Sequence, residues 1–572
     1  MGFNILHCRF YKGMGWEFEK NDFPAVKKFV ENCHKYNIKA LAYVQFSTLY
    51  YETLQAEIPD LLSWAAVDYS GKPQTYHGGE YYRWMPCIGK RPFIDYLKKI
   101  IKIGLEECPF DGIMFDNAHT YACYCPACQN EFRNYLGVHP AAKTLTGLPA
   151  FDHVLIPPPA DDDQIKDPLR LLYVEYSTDK KKEIFKELHD FIKSFSPDYI
   201  VSANLGCIRR YSFSRQFALD AFKLKDCFDI IVSQSGNAPV WQENICINRI
   251  REHKLAQALG INILALSDHD GSLDIKNINS LLLNLAENFA WSGIPVERTI
   301  MAPHRQTGST EPGIDKKKIY FSRFTRFMEN ERTMPEVTDY CPVTILYSRE
   351  SVNFSRLSCR AVMTTEEILL RSHIPFNLIA ASAGADLKIP ENCELLIIAE
   401  QYCLSDNQNK QIENWINAGG KLLITSKSGS CNENFRERRF FFSEILHKNS
   451  NVIIFHPVPN ENNIIDDWTI KIRRPDNITE FASLVKSMIN LPYSITAPES
   501  VMVNVKTSSS NNYFMHFLNY NAAINQKIRV KTLKKTRAEL CFPFEETTHF
   551  FKQNNKFSFT MKTPYALLKF IK

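Results

Sequence analysis

Phe110-Asp111-Gly112-Ile113-Met114-Phe115-Asp116-Asn117-Ala118-His119-Thr120-Tyr121-Ala122-Cys123-Tyr124-Cys125-Pro126-Ala127-Cys128 is the stretch whose reading decides the fold. A short apolar run that stops at Asp116 reads as a buried parallel strand, and a carboxylate at its C-terminal tip points into a site. Three cysteines follow as C-x-C-x2-C. Spacing this tight brings the sulfurs within reach of one tetrahedral ion, usually zinc, which takes a fourth ligand from elsewhere. Cys87, in Arg83-Trp84-Met85-Pro86-Cys87, is the best candidate, because it precedes the helix that leads into the strand. The rival reading is four unrelated reduced thiols.

Outward from that stretch the chain alternates strands and helices. Residues 4–9 read as a strand, Asp22 caps a helix with Pro24 in its first turn, and Val26, Phe29, Val30 and Cys33 form its apolar face. A second strand at 38–45 makes the opening β-loop-α-β, the repeat of a parallel α/β fold. A long connection rich in Tyr, Trp and Gly then runs to Cys87; such loops build the substrate face of a barrel. After the cysteines come a helix near 131–136, an irregular insertion at 137–167 and a long helix at 171–194. Strands are expected at 199–205, 228–233, 262–266 and 299–301, with helices at 247–259 and 278–290. The total is seven strands where a closed (β/α)8 barrel has eight.

The length of 572 residues exceeds what one hydrophobic core usually serves, so two or three domains are expected. At 45% hydrophobic and 23% charged residues the composition is that of an ordinary soluble protein. A net charge of +5 with no basic tract argues against a nucleic-acid partner. Sixteen cysteines in so large a chain read as free thiols in a reducing compartment. With no signal peptide at Met1-Gly2-Phe3-Asn4 and no bilayer-length apolar run, a cytoplasmic location without a membrane partner is expected. Aromatics at 12% suit sugar stacking and equally suit a large core.

The run from Arg83 to Cys87, the helix after it, Asp116-Asn117, the three cysteines and Phe132 resemble the family-42 β-galactosidases and related glycosidase barrels. In that family four cysteines in this order hold a structural zinc beside the active site, so the resemblance implies Zn²⁺ on Cys87, Cys123, Cys125 and Cys128. It implies a (β/α)8 TIM-like barrel over 1–310, with one more strand before Asn4 than the residues show. It also implies a flavodoxin-like, glutamine-amidotransferase-like domain at 340–460 and a small C-terminal β-sandwich at 495–572. The family's middle domain trimerises, so a homotrimer is implied. Residues 343–347, 394–398 and 421–425 have the buried-strand composition of such a domain, and 501–571 has the period-two alternation of antiparallel strands. Cys403 invites an amidotransferase reading but lacks the glycine-flanked nucleophile turn.

The departure from the family pattern is at the strand tip. There the family has Asn-Glu, the Glu being its acid/base, and this chain has Asn117-Ala118. Hydrolysing a glycoside takes two carboxyl groups on one sugar. Asp116 is the candidate nucleophile, in a position like that of the nucleophile in fucosidase-like barrels. Asp268, Asp270 and Glu243 are candidates for its partner. His7, His119, Trp241 and Asn204 are candidate sugar-binding residues; each histidine reads equally well as a satisfied core residue. Two functions emerge: a glycosidase for a terminal galactoside- or fucoside-like sugar, or an inactive carbohydrate-binding barrel, which Ala118 and Gln234 favour.

Overall fold

The structure is a computed structural model that describes residues 4–76, 79–159, 163–235, 239–267, 278–293, 314–331, 337–438, 449–455, 464–466, 470–510, 512–522, 524–545 and 548–571. Two compact units divide the chain: Phe3–Gln234 with Gly260–Asn262, and Ser235–Leu259 with Ile263–Lys572.

The first unit is built on parallel strands β1 (Ile5–Tyr11), β2 (Lys39–Gln45), β3 (Gly112–Asp116), β4 (Ile200–Asn204) and β5 (Ile230–Ser235), hydrogen-bonded in chain order. Helices α1 (Phe23–Lys35), α2 (Arg91–Glu107), α3 (Pro126–Val138) and α4 (Pro168–Lys193) connect them. Each connection returns the chain to lay the next strand parallel beside the last, which is how a β/α barrel wall grows. Of the expected strands, 262–266 corresponds to Ile263–Ser267, which belongs to the second unit, and 299–301 lies outside the described residues.

Register decides which side chains share a face. Leu41 pairs with His7 and Gly112, Tyr43 with Arg9 and Met114, and Gln45 with Asp116. Alternation along each strand then puts Phe10, Ala42, Val44, Ile113, Phe115 and Val201 on the opposite face, where all are buried. The helices cover that apolar face: Phe46 packs on Phe185 of α4 at 4.6 Å, and Phe115 meets Phe185 at 5.8 Å. Gly112 opens β3 with φ +153°, and a Cβ there would lie 2.0 Å from the Ile200 carbonyl oxygen, so only glycine lets β4 approach.

Two local expectations are corrected. Asp22 makes no side-chain cap, because a 3-10 turn, Lys20–Asp22, already carries helical backbone into α1. Phe29 flanks the buried stripe of Phe23, Val26, Val30 and Cys33 and is 40% exposed. The long connection before Cys87 holds a three-stranded antiparallel sheet of Leu49–Tyr50, Thr75–Tyr76 and Glu80–Trp84.

The second unit contains both regions expected as further domains. Strands β6 (Val343–Ser348), β7 (Phe376–Ala381), β8 (Leu395–Ile398), β9 (Lys421–Thr425) and β10 (Val452–Phe455) are parallel in the order β7-β6-β8-β9-β10. That is the flavodoxin-like order 2-1-3-4-5. Cys403 follows β8 and is buried, which raises its thiol well above the ordinary cysteine value. A thiol kept protonated is a poor nucleophile.

The C-terminal strands form one seven-stranded antiparallel sheet. The separate sheets of the expected sandwich are joined by Gln526–Cys541, which pairs with Tyr493–Thr496 through its first half and with Tyr565–Ile571 through its second. Register shifts between Lys531 and Ala538 bend that strand, so both halves close on one core that includes Val501, Phe517, Ile528, Phe557 and Leu568.

Candidate functional site

Asp116 stands at the C-terminal tip of β3, where barrel sites are built. Asn204, at the tip of β4, donates from Nδ2 to Asp116 Oδ1 at 2.9 Å, and Asn117 Nδ2 donates to Oδ2 at 3.1 Å. The Tyr43 hydroxyl also donates to Oδ2. Both carboxylate oxygens are therefore aimed by neighbours on three successive strands. Around them lies a ring of amides: Asn204 Nδ2 reaches Gln234 Oε1 at 2.5 Å, and Gln45 Oε1 lies 2.8 Å from the Tyr43 hydroxyl. Asn204 Oδ1 accepts from the Gly206 N–H at 3.0 Å, which fixes its amide orientation. Lys12 sits with Nζ 3.7 Å from the Tyr43 ring centroid.

His7 shares this face on β1, which pairs with β2 alone among the described strands, and its side chain is exposed. The protein packed beside it lowers its pKa from the usual histidine value, and the Asp116 charge works against that. His119 stands in an aromatic frame, with ring centroids 5.4 Å from Tyr76, 5.4 Å from Phe217 and 6.2 Å from Tyr121.

The backbone leaves β3 through Asn117 at φ +51°, and the Ala118 N–H then donates to the Asn204 carbonyl at 3.2 Å. From behind, the fully buried Lys181 of α4 donates to the Ala118 carbonyl at 2.8 Å and to the Thr120 hydroxyl at 2.6 Å. No carboxylate pairs with it among the described residues, and burial lowers its pKa well below the ordinary lysine value. A neutral amine has two N–H bonds, and both are used. Sequence reasoning misses this residue, since one lysine inside Asp179-Lys180-Lys181-Lys182 gives no signal of its burial.

The four cysteines come together. Cys87 Sγ lies 4.0 Å from Cys125 Sγ and 3.4 Å from Cys128 Sγ, and all four ligand atoms lie within 4.8 Å of one another. Sulfurs about 2.3 Å from a tetrahedral zinc would stand about 3.8 Å apart, so the group fits such an ion. The Val67 N–H donates to Cys123 Sγ at 3.3 Å, and Cys125 stands at the N-terminal boundary of α3 in extended backbone, with no side-chain capping bond. Close by, a Cβ on Gly89 would stand 3.1 Å from Cys128 Sγ.

Other expected residues are elsewhere. Glu243 is exposed at the tip of a hairpin of Val240–Gln242 and Ile245–Ile247 in the second unit, where it and Asn244 take φ +51° and +63°. Trp241 in that hairpin has the Arg371 guanidinium 4.7 Å from its ring centroid, so one face is spent on a structural contact. Asp268 and Asp270 lie outside the described residues.

No family model and no curated protein matches the chain. Solved structures do. A β-galactosidase from Bacillus circulans sp. alkalophilus is similar at 14% identity and TM-score 0.72, over 99% of this chain and 94% of that one. An exo-carrageenase from Bacteroides ovatus, described as GH42, is similar at 14% identity and TM-score 0.66, over 99% of this chain and 79% of that one. α-L-Fucosidase isoenzyme 2 from Paenibacillus thiaminolyticus is similar at 14% identity and TM-score 0.59, over 95% and 89%. At these identities the likeness establishes the fold: a barrel with additional domains.

Lys181 gives a pH test. In the folded chain it loses its proton at a pH where an unfolded lysine still holds one, so the unfolded state binds more protons in that window. Its contribution to stability is complete above the ordinary lysine value, about 10.4, and is lost as pH falls through the lowered folded value. Urea unfolding of Lys181→Met beside the parent should show the parent's relative stability rising with pH. The rise should reach at most about 1.4 kcal/mol per pH unit inside the window. A flat difference would mean that Lys181 is charged in the folded chain.

Proposed function

We propose, on the premise of that shared fold, that the chain is a glycoside hydrolase acting on a terminal galactoside- or fucoside-like sugar, with Asp116 as nucleophile. The observation that carries the reading is the aimed carboxylate: Asp116 at a barrel strand tip, oriented by Tyr43, Asn117 and Asn204. In a retaining reaction a carboxylate oxygen attacks the anomeric carbon, and the bond to the leaving oxygen breaks as an acid protonates that oxygen. Water then cleaves the glycosyl ester. The second carboxyl group is assigned to Asp268, Asp270 or Glu243. His7, His119, Asn204 and Trp241 are proposed sugar contacts.

A second reading has its own support. The polar neighbours around Asp116 are amides, with Gln45, Asn117, Asn204 and Gln234 in the cluster, and Ala118 occupies the place of the family's acid/base. Such a surface suits a barrel that binds sugar without cleaving it. Asp116→Asn separates the readings, because it removes the nucleophile and keeps the shape. Turnover of aryl galactosides and fucosides should fall by about a thousandfold or more while sugar binding persists, which would be close to 4 kcal/mol of transition-state stabilisation. Parent protein that binds these sugars without turnover at any pH would select the binding barrel.

The metal is proposed to be one structural Zn²⁺ on Cys87, Cys123, Cys125 and Cys128, a closed four-thiolate site that holds the loop after β3. Elemental analysis of protein purified without chelator should return one zinc per chain. Cys125→Ser should lower zinc content and thermal stability and leave the shape of any pH profile unchanged. Zinc-free protein of full stability would contradict the assignment.

The flavodoxin-like region is proposed to mediate a homotrimer, by analogy with the family's trimerisation domain. Sedimentation at micromolar concentration should return three chains, and a monomer would remove the proposal.

A further inference from the structure

In the C-terminal sheet of the second unit, strand Gln526–Cys541 runs through its first half between Tyr493–Thr496 and His549–Met561. Alternation sends Ile528 and Val530 into the core and turns Lys527, Arg529 and Lys531 out to solvent. Register then fixes their neighbours on that outer face. Lys527 stands opposite Thr560, Arg529 between Thr496 and Ser558, and Lys531 between Ser494 and Lys556. All eight of these side chains are exposed. Four are cations, four carry hydroxyls, and none is a carboxylate.

None of the four cations forms an ion pair among the described residues. Lys531 and Lys556 face each other directly across the strands, an arrangement that costs stability. Cations that protect a sheet edge stand on the edge strand, whereas three of these four stand on the inner one. An ordinary solvated surface mixes both signs of charge. Residues 526–538 hold six cations and no acid, in a chain of 572 residues whose net charge is +5. The face is thus a concentrated positive field on a nearly neutral chain, and a polyanion lying on it relieves the repulsion.

We infer that this outer face binds an acidic polysaccharide, a sugar chain with repeated sulfate or carboxylate groups. Lys527 to Lys531 spans about 14 Å of strand, so a single anion neutralises part of the row and a repeating one follows it. The hydroxyls of Ser494, Thr496, Ser558 and Thr560, interleaved with the cations, offer donors and acceptors to the hydroxyls of a sugar chain. Single-stranded nucleic acid takes aromatic platforms under its bases, and a membrane surface takes apolar side chains that enter it. The eight side chains include neither. The face belongs to the second unit and is read by binding, so loss of the glycosidase reading would leave it untouched.

Biolayer interferometry of the full chain on immobilised dextran sulfate, dextran, single-stranded oligothymidylate and phosphatidylserine vesicles tests the inference. The chain should bind dextran sulfate, ignore neutral dextran, and release as salt rises, because exposed charges are screened. The triple variant Lys527→Gln, Arg529→Gln, Lys531→Gln leaves the core positions untouched and should weaken dextran sulfate binding at least about tenfold. Lys556→Gln alone should weaken it about threefold, and its thermal unfolding should not fall, since the change removes a like-charge pair. A control, Lys28→Gln, Lys143→Gln, Lys166→Gln, takes the same charge from exposed positions of the first unit and should leave affinity within about twofold. Asp116→Asn should leave it unchanged. Equal binding to dextran, equal loss in the first-unit control, or affinity unmoved by both face variants would overturn the inference. So would tighter binding to oligothymidylate or to the vesicles, which would assign the face to nucleic acid or to a membrane. Affinity lost in Asp116→Asn would overturn it as well, by placing the polymer at the strand tip.

Discussion

The close parallel pairing of β3 between β2 and β4 is the constraint on which the first unit depends. Gly112 permits it at one end, where no side chain fits beside Ile200. At the other end the same register sets Gln45 beside Asp116, and the Asn204 amide reaches Asp116 across the strands. One backbone requirement and one ring of hydrogen bonds thus bracket a strand of five residues. The carboxylate is aimed because the strands on either side carry donors at the matching height. Burial of Phe115 against Phe185 holds the opposite face.

Beyond β3 the chain is held from two further sides. Lys181 reaches from α4 to the Ala118 carbonyl, and the cysteines draw the chain back toward Cys87 some residues later. Between those anchors run His119 and Tyr121, which face Phe217 on one side, while Tyr121 also lines a large cavity. Rigid attachment at both ends suits a segment that presents side chains to ligands, since pre-organised groups lose little entropy on binding.

Much of this was legible in the chain. A strand ending at Asp116, tight C-x-C-x2-C spacing and a solitary Cys87 ahead of a helix carry their own chemistry, and the fold and cysteine cluster are where those residues put them. Asn204 was legible for the same reason, as the polar residue that ends an apolar strand. Residues whose role depends on contacts distant in sequence were not. Tyr43 and Gln45 read as ordinary strand positions until register sets them beside Asp116, and Lys181 reads as one of several solvated lysines. Arg371 over Trp241 spans 130 residues, which no local pattern announces. The bend that turns an expected sandwich into one folded sheet comes from register shifts in Gln526–Cys541, a property of pairing that alternation alone does not encode.

The central claim, that Asp116 forms a bond to sugar, is tested most directly by incubation with 2-deoxy-2-fluoro galactosyl and fucosyl fluorides, then peptide mapping in a mass spectrometer. Such reagents form the glycosyl ester and hydrolyse slowly, so the nucleophile keeps its label. One added glycosyl group is expected, on the peptide that contains Asp116. A label on a different carboxylate, or no label on protein that binds the same sugars, would contradict the claim.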